Sequence, residues 1–201
     1  MNSQRVARLV TDVVVRRPAL WRLLRGRTRG LFDRLAPTWE TRIGPQHVAA
    51  LEQALETVPP PRRVLDLGTG TGVAAAAVAR RFPEAEVIGV DLAPAMVAEA
   101  RRQLPPELAP RVTFEVGDGS RLAFADGAFE LVTLANMIPF FDELARVTAP
   151  GGAVAFSFSK GPETPIYVQS QRLRNELSRR GFLEFADFAA GPATALLARK
   201  G

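Results

Sequence analysis

The chain has 201 residues, no cysteine, one histidine (His47) and a net charge of +5, with 47% hydrophobic and 23% charged residues. That balance is the one of a globular domain large enough to fold around its own core. The missing thiols exclude disulfides, thiolate zinc sites, iron–sulfur clusters and a cysteine nucleophile, and a lone histidine argues against a histidine-built centre, so no metal is expected.

The charge is unevenly spread. Residues 1–34 carry nine arginines against Asp12 and Asp33, a net of +7, and the remainder is mildly acidic at −2. No apolar run approaches the roughly 18 residues of a membrane span. Arg5, Arg8, Asp12, Arg16 and Arg17 interrupt any signal-peptide core, so a cytoplasmic location is expected. Residues 1–44 read as a basic helical arm. Val6, Leu9, Val10, Val13 and Val14 recur at helical spacing. Pro18 separates them from a second helix over Ala19–Leu35, apolar at Leu20, Leu23, Leu24 and Leu31. Turns are expected at Pro37 and at Gly44-Pro45, followed by a helix over Gln46–Thr57 that Pro59-Pro60-Pro61 ends.

From Arg62 strands alternate with helices. Strands are predicted at Val64–Leu67, Glu86–Asp91, Arg111–Val116, Phe129–Ala135 and Ala153–Ser159. Helices are predicted at Val73–Phe82, Pro94–Leu104, Phe140–Val147 and Ile166–Arg180, with a Pro150-Gly151-Gly152 turn before the fifth strand. Phe182–Phe188 and Ala193–Arg199 follow without a helix between them and should form a hairpin around Gly191-Pro192. The pattern predicts an α/β fold over residues 45–201: a Rossmann-like, doubly wound sheet of seven strands, mostly parallel, with a C-terminal antiparallel hairpin.

The strongest chemical signal is Asp66-Leu67-Gly68-Thr69-Gly70-Thr71-Gly72, between the first strand and its helix. Glycines there let the chain turn sharply and let a ligand approach without meeting a Cβ. In an open α/β sheet the ligand lies beyond the carboxyl ends of the strands. The spacing is G-x-G-x-G. A dinucleotide fingerprint would need glycine at Val73, and no lysine follows as a phosphate loop requires.

With this motif the chain resembles the class I S-adenosylmethionine-dependent methyltransferases, over about Gly44 to Lys200. The resemblance implies that Gly68, Thr69, Gly70 and Gly72 contact the methionyl part of S-adenosyl-L-methionine. Asp66 is then near its amino group, in part through water. Asp91, at the end of the second strand, takes the ribose hydroxyls. Leu92 and Met96 flank the adenine, although Met96 equally suits core packing. Asp118, in Gly117-Asp118-Gly119-Ser120, takes the adenine amino group, with Gly119 beside it. Asn136 borders the cofactor. Arg146–Gly152 (RVTAPGG) resembles the family's turn before the fifth strand. The product would be S-adenosyl-L-homocysteine.

The acceptor side departs from part of the family. Asn136-Met137-Ile138-Pro139-Phe140 lacks the double proline of enzymes that methylate amino groups of nucleic acids, so that activity is not carried over. Phe32–Glu40 (FDRLAPTWE) instead resembles the entry of quinone-precursor and related small-molecule methyltransferases. A small hydrophobic or phenolic acceptor, methylated on oxygen or carbon, is therefore expected. Candidate acceptor contacts are Phe32, Trp39, Met137, Phe140 and Tyr167. Candidate bases are His47 and Tyr167, then Asp142 and Glu143. His47 suits either base work or a solvated helix position, Tyr167 either orientation or packing. Asp142 and Glu143 most simply favour a helix N-terminus. The arm is expected first as a lid over the cofactor cleft, second as a membrane-surface helix, third as a nucleic-acid contact, since it lacks aromatic stacking platforms. The alternatives to a small-molecule enzyme are an RNA methyltransferase using the arm, and a binding protein that kept the fold without methyl transfer.

Overall fold

The computed structural model describes residues 3–39, 41 and 47–201. The expected Gly44-Pro45 turn, the start of the Gln46 helix, Glu40 at the end of FDRLAPTWE and the expected division after residue 44 lie outside the described residues. The arm forms α1 (Ser3–Arg16), a 3-10 turn at Pro18–Leu20, α2 (Trp21–Leu35) and a second 3-10 turn at Ala36–Thr38. After α3 (Ala49–Leu55) come β1 (Arg63–Leu67), α4 (Val73–Arg81), β2 (Glu86–Asp91), α5 (Pro94–Gln103), β3 (Val112–Val116) and β4 (Phe129–Ala135). The chain continues through α6 (Phe141–Val147), β5 (Thr148–Phe158), α7 (Ser170–Ser178), β6 (Phe182–Ala190) and β7 (Ala193–Lys200).

The seven strands lie in the order β3-β2-β1-β4-β5-β7-β6. The first five run parallel, and β7 pairs antiparallel with both β5 and β6. The order reverses between β1 and β4, the point at which such a sheet opens a crevice for a ligand.

Successive side chains of a strand face opposite ways, so each central strand feeds two cores. Leu65, Leu67, Val132, Leu134, Val154, Phe156 and Phe158 pack on one face with α6, α7 and the arm residues Val14 and Trp21. Val64, Leu131, Ala153 and Ala155 pack on the other with α3, α4 and α5. The alanines of α4 (Ala74, Ala75, Ala76, Ala77, Ala79) are all buried, because a helix without bulk can lie close on the sheet. Burial of Val14 and Trp21 (0% and 4% exposed) makes the arm part of the first core rather than a loose appendage.

Two sequence expectations change. Pro150-Gly151-Gly152 is a bulge inside β5 rather than a turn before it: the register to β4 jumps between Phe129↔Thr148 and Leu131↔Ala153. Gly151 has φ +71, and a Cβ at Gly152 would stand 2.9 Å from the Ala149 and Glu130 carbonyl oxygens. Only glycines fit such an excursion. The last helix starts at Ser170 rather than Ile166, because Gly161–Glu163 forms a 3-10 turn and the stretch after it stays a loop.

Gly72 caps α4 with φ +86, and a Cβ there would stand 2.8 Å from the Phe114 ring and 3.3 Å from Ala100. Its missing side chain makes room for the core. Gly72→Ala should therefore destabilise the unligated protein by about 2–4 kcal/mol, combining left-handed strain with overpacking. Denaturant unfolding of the two proteins measures it.

Candidate active site

The glycine turn is fastened to the end of β2. The Gly68 and Thr69 N–H groups both donate to the Val90 carbonyl, at 2.8 and 3.1 Å. Asp91 completes the attachment: its Oδ2 accepts from Gly70 N–H at 2.9 Å and its Oδ1 from Ala93 N–H at 2.8 Å. Burial pushes the Asp91 carboxyl up. Gly70 has φ +54, and a Cβ on it would point across the crevice to within 3.5 Å of Trp39 Nε1. At Gly68 the corresponding space is taken, since a Cβ would stand 2.7 Å from Met137 Sδ.

Asp66 lies beneath this turn. It is 1% exposed, and its oxygens accept from the Thr69 and Thr133 hydroxyls at 2.6 and 2.8 Å. Burial raises its pKa to about 6 against the opposing pull of those hydrogen bonds. Thr69 therefore turns its side chain inward.

On the opposite side stands the end of β4. Asn136 takes the left-handed conformation with φ +53, which asparagine tolerates better than most residues. Its Oδ1 accepts from Ser159 N–H at 3.0 Å, and its Nδ2 donates to Ser159 Oγ at 3.0 Å and faces His47 Nδ1 at 3.2 Å. Because Oδ1 is fixed on an N–H, Nδ2 is the end that meets the imidazole. Two N–H groups cannot face each other, so Nδ1 carries a lone pair and the proton sits on Nε2. Burial lowers the His47 pKa in the same direction, favouring the neutral ring. His47 is 8% exposed, so the solvated-helix reading does not hold.

The arm closes the crevice from above. Trp21 packs on Phe140 with ring centroids 5.4 Å apart, and Phe32 meets Trp39 edge-on at 5.6 Å. Trp21 Nε1 donates to Asp118 Oδ1 at 2.8 Å, and Arg25 reaches Asp118 Oδ2 at 3.2 Å. Asp33 accepts from Ala95 N–H at 3.0 Å, tying α2 to the start of α5. Arg8 donates to the Thr164 carbonyl at 2.9 Å. The result is a cleft whose space, counted out to the solvent at its mouth, is about 880 Å³.

Of the residues expected at the site, Trp39, His47, Gly68, Thr69, Gly70, Asp91, Leu92, Met96, Gly119, Asn136 and Met137 line this cleft. Asp66, Gly72, Asp118, Phe140 and Tyr167 do not. Asp66 is behind the turn, and Gly72 faces Phe114. Burial pushes Asp118 up, but hydrogen bonds from the Ser120 backbone and hydroxyl, Trp21 and Arg25 outweigh it and hold the carboxyl below its usual range. Phe140 lies under Trp21, and Tyr167 packs edge-on against Phe158 at 5.0 Å while Ile166 reaches the cleft. Asp142 pairs with Arg180 at 2.7 Å, and Glu143 accepts from Leu122 N–H at 2.7 Å and pairs with Arg146 at 2.8 Å, so neither acid is presented to the cleft. Trp21, Thr28, Ile138 and Ile166 are wall residues that sequence reasoning missed. For Trp21 and Thr28 a signal existed, a seven-residue helical spacing continued at Phe32.

Asp66→Asn should stabilise the unligated protein. The carboxyl ionises near pH 6 when folded and near 3.8 in its reference state, so ionisation opposes folding increasingly from pH 4 to 6 and fully above. The substitution should gain about 1–3 kcal/mol at pH 8 and nothing below pH 4, because one hydroxyl can go on donating to the amide oxygen while the other reverses to accept from the amide nitrogen. Thermal unfolding across that pH range checks the sign.

Comparison with known proteins agrees with this layout. Residues 64–152 match the family model of a methyltransferase domain. The chain is 46% identical over 111 residues to the malonyl-[acyl-carrier protein] O-methyltransferase of Halorhodospira halophila, covering 52% of this chain and 37% of that protein. It is 43% identical over 122 residues to the demethylmenaquinone methyltransferase of Thermus thermophilus, covering 57% and 54%. The matches thus span about a third to a half of these relatives' length. The fold superposes on a SAM-dependent methyltransferase from Aquifex aeolicus with a TM-score of 0.66 at 16% identity, covering 80% of this chain and 96% of that one. Its glycine turn, its carboxylate at the end of β2 and its 3-2-1-4-5-7-6 sheet are features that the chain shares with the class I S-adenosylmethionine-dependent methyltransferases.

Proposed function

We propose that the chain methylates a small, apolar or phenolic acceptor, on oxygen or carbon, using S-adenosylmethionine bound in the cleft between the glycine turn and the arm. The observation that carries the acceptor reading is the composition of the wall. Trp21, Phe32, Trp39, Met137, Ile138 and Ile166 face the crevice, and its only ionisable side chains among the described residues are Asp91 and His47. An acceptor bearing carboxylates or phosphates would call for arginine or lysine there. An aromatic or prenylated one calls for the wall described.

The residues present fit the cofactor. Each Asp91 oxygen holds one N–H and keeps a lone pair for a ribose hydroxyl. Leu92 and Met96 offer flat apolar contact, while Asp118, engaged by Trp21, Arg25 and Ser120, stays outside the cleft lining. Asp66 supplies negative charge beneath the methionyl end. Once bound, the cofactor supplies a methyl group activated by its sulfonium.

The rest is positioning. Met137, packed against Gly68 and Gly119, fixes the floor on which an acceptor ring rests. His47, held neutral with its proton on Nε2, acts as a hydrogen-bond donor to an acceptor oxygen rather than as a base. It thereby stabilises a phenolate or enolate that has given its proton to solvent before the methyl group is transferred. The aromatic arm excludes water from the path of the methyl group.

The direct test is incubation with methyl-labelled S-adenosylmethionine and a series of quinols and phenols of rising lipophilicity. Label should enter the organic phase with stoichiometric S-adenosylhomocysteine. Turnover with RNA or polycarboxylates alone would refute the acceptor reading, and cofactor binding without turnover on any acceptor would favour a binding protein. Asp91→Ala should weaken cofactor binding by about 1.5–3 kcal/mol, the scale for hydrogen bonds to a charged group. It should also lower the melting temperature, because Gly70 and Ala93 lose their acceptor. His47→Ala should cut kcat by about 10–100-fold with the cofactor dissociation constant unchanged, and His47→Gln should recover part of it by restoring a donor.

A further inference from the structure

We infer that the outward face of α2 docks on an anionic lipid bilayer. At about 100° per residue, α2 carries two opposed stripes. Trp21, Thr28 and Phe32 form the inner one and line the cleft. Leu23, Arg27, Leu31 and Arg34 form the outer one. All four are exposed, Leu23 to 77% and Leu31 to 44%. Solvent contact of that extent is costly for two leucines on one stripe, and it leaves them available to a partner.

The charge on this surface identifies the partner. Arg22, Arg27 and Arg34 of α2 are exposed and make no ion pair among the described residues, and Arg5, Arg16 and Arg17 of the preceding segment are likewise exposed and unpaired there. Of the two acids in residues 1–34, Asp33 accepts from Ala95 N–H and Asp12 lies exposed on α1. The outer stripe of α2 itself holds no acid. It is the convex surface of a helix whose other side is sealed to the body. Arginines flanking exposed leucines on such a surface match a layer of anionic headgroups over an apolar interior: leucines enter the acyl boundary while guanidinium groups stay at headgroup level. A nucleic acid would use the arginines but leave the leucines unburied. An acidic protein would satisfy both, yet it would need a complementary concavity on its own side, which a fluid bilayer does not.

The two stripes sit a helix width apart, about 10–12 Å. A bilayer on the outer one therefore lies next to the cleft that the inner one roofs. This would present a lipid-borne acceptor at the mouth. The docking itself does not rest on the acceptor reading, because it is measured without an acceptor.

The full chain should co-sediment with phosphatidylglycerol-containing vesicles, weakly with pure phosphatidylcholine, and less as salt rises. Leu23→Glu/Leu31→Glu and Arg27→Glu/Arg34→Glu should each lower vesicle partitioning at least about tenfold. Neither pair touches the cleft, so melting temperature and cofactor affinity should stay as in the parent, which separates lost docking from lost folding. Failure of the parent to sediment with anionic vesicles at physiological ionic strength would overturn the inference. So would equal binding to neutral vesicles, unchanged partitioning of the leucine pair, or a vesicle-free dimer that the leucine pair dissociates. Salt-sensitive RNA or acidic-protein binding without vesicle binding would replace it.

Discussion

Two carboxylates stand at the same end of the sheet, Asp66 buried and Asp91 half-buried in the cleft wall, and no cationic side chain offsets either among the described residues. Asp66 is enclosed by hydroxyls, and Asp91 is held by two backbone N–H groups. Burial raises both, and their mutual repulsion adds to it at Asp66. Such a pair costs folding free energy that a purely structural site would shed by substituting amides. Its persistence makes sense if a cation arrives with the ligand. A sulfonium with an ammonium beside it is such a ligand, whereas a dinucleotide would bring more negative charge. The rest of the site follows from holding these acids in place. Val90 and Asp91 pin the glycine turn, the turn roofs Asp66, and Gly72 lets α4 start close enough to the sheet for its alanines to pack.

The arm meets this end of the sheet through different physics. Its ties are local and polar at the edges, through Trp21 and Arg25 on Asp118, Asp33 on Ala95 and Arg8 on the loop after β5. They are apolar in the middle, through Val14, Trp21 and Phe140. Removing the arm would expose the part of the first core that Val14 and Trp21 cover.

The parallel strands and the glycine turn were legible because short apolar runs and a run of glycines before an alanine helix have few other uses. Asp91 was legible from its place at the end of β2. Asp118 follows β3 as the motif implies, but its partners Trp21 and Arg25 lie more than ninety positions away, and no local pattern marks a pairing of that range. Tyr167 and Phe140 looked like acceptor contacts because they are aromatics in the right loops. Their neighbours Phe158 and Trp21 took them into the core, leaving Ile166 and Ile138 at the wall. The Pro150-Gly151-Gly152 bulge has the composition of a turn, and only pairing with β4 distinguishes the two. Burial of His47 leaves no local trace, since its partner Asn136 comes from the far end of β4.

Calorimetry of S-adenosylmethionine binding near pH 6, in buffers of differing ionisation enthalpy, tests the central claim most directly. If the cofactor places positive charge over Asp66, its carboxyl must ionise more readily in the complex. Binding should then release protons into the buffer near pH 6, and Asp66→Asn should abolish that release. Binding without proton exchange at that pH, or release that persists in Asp66→Asn, would contradict the claim that these carboxylates select a cationic ligand.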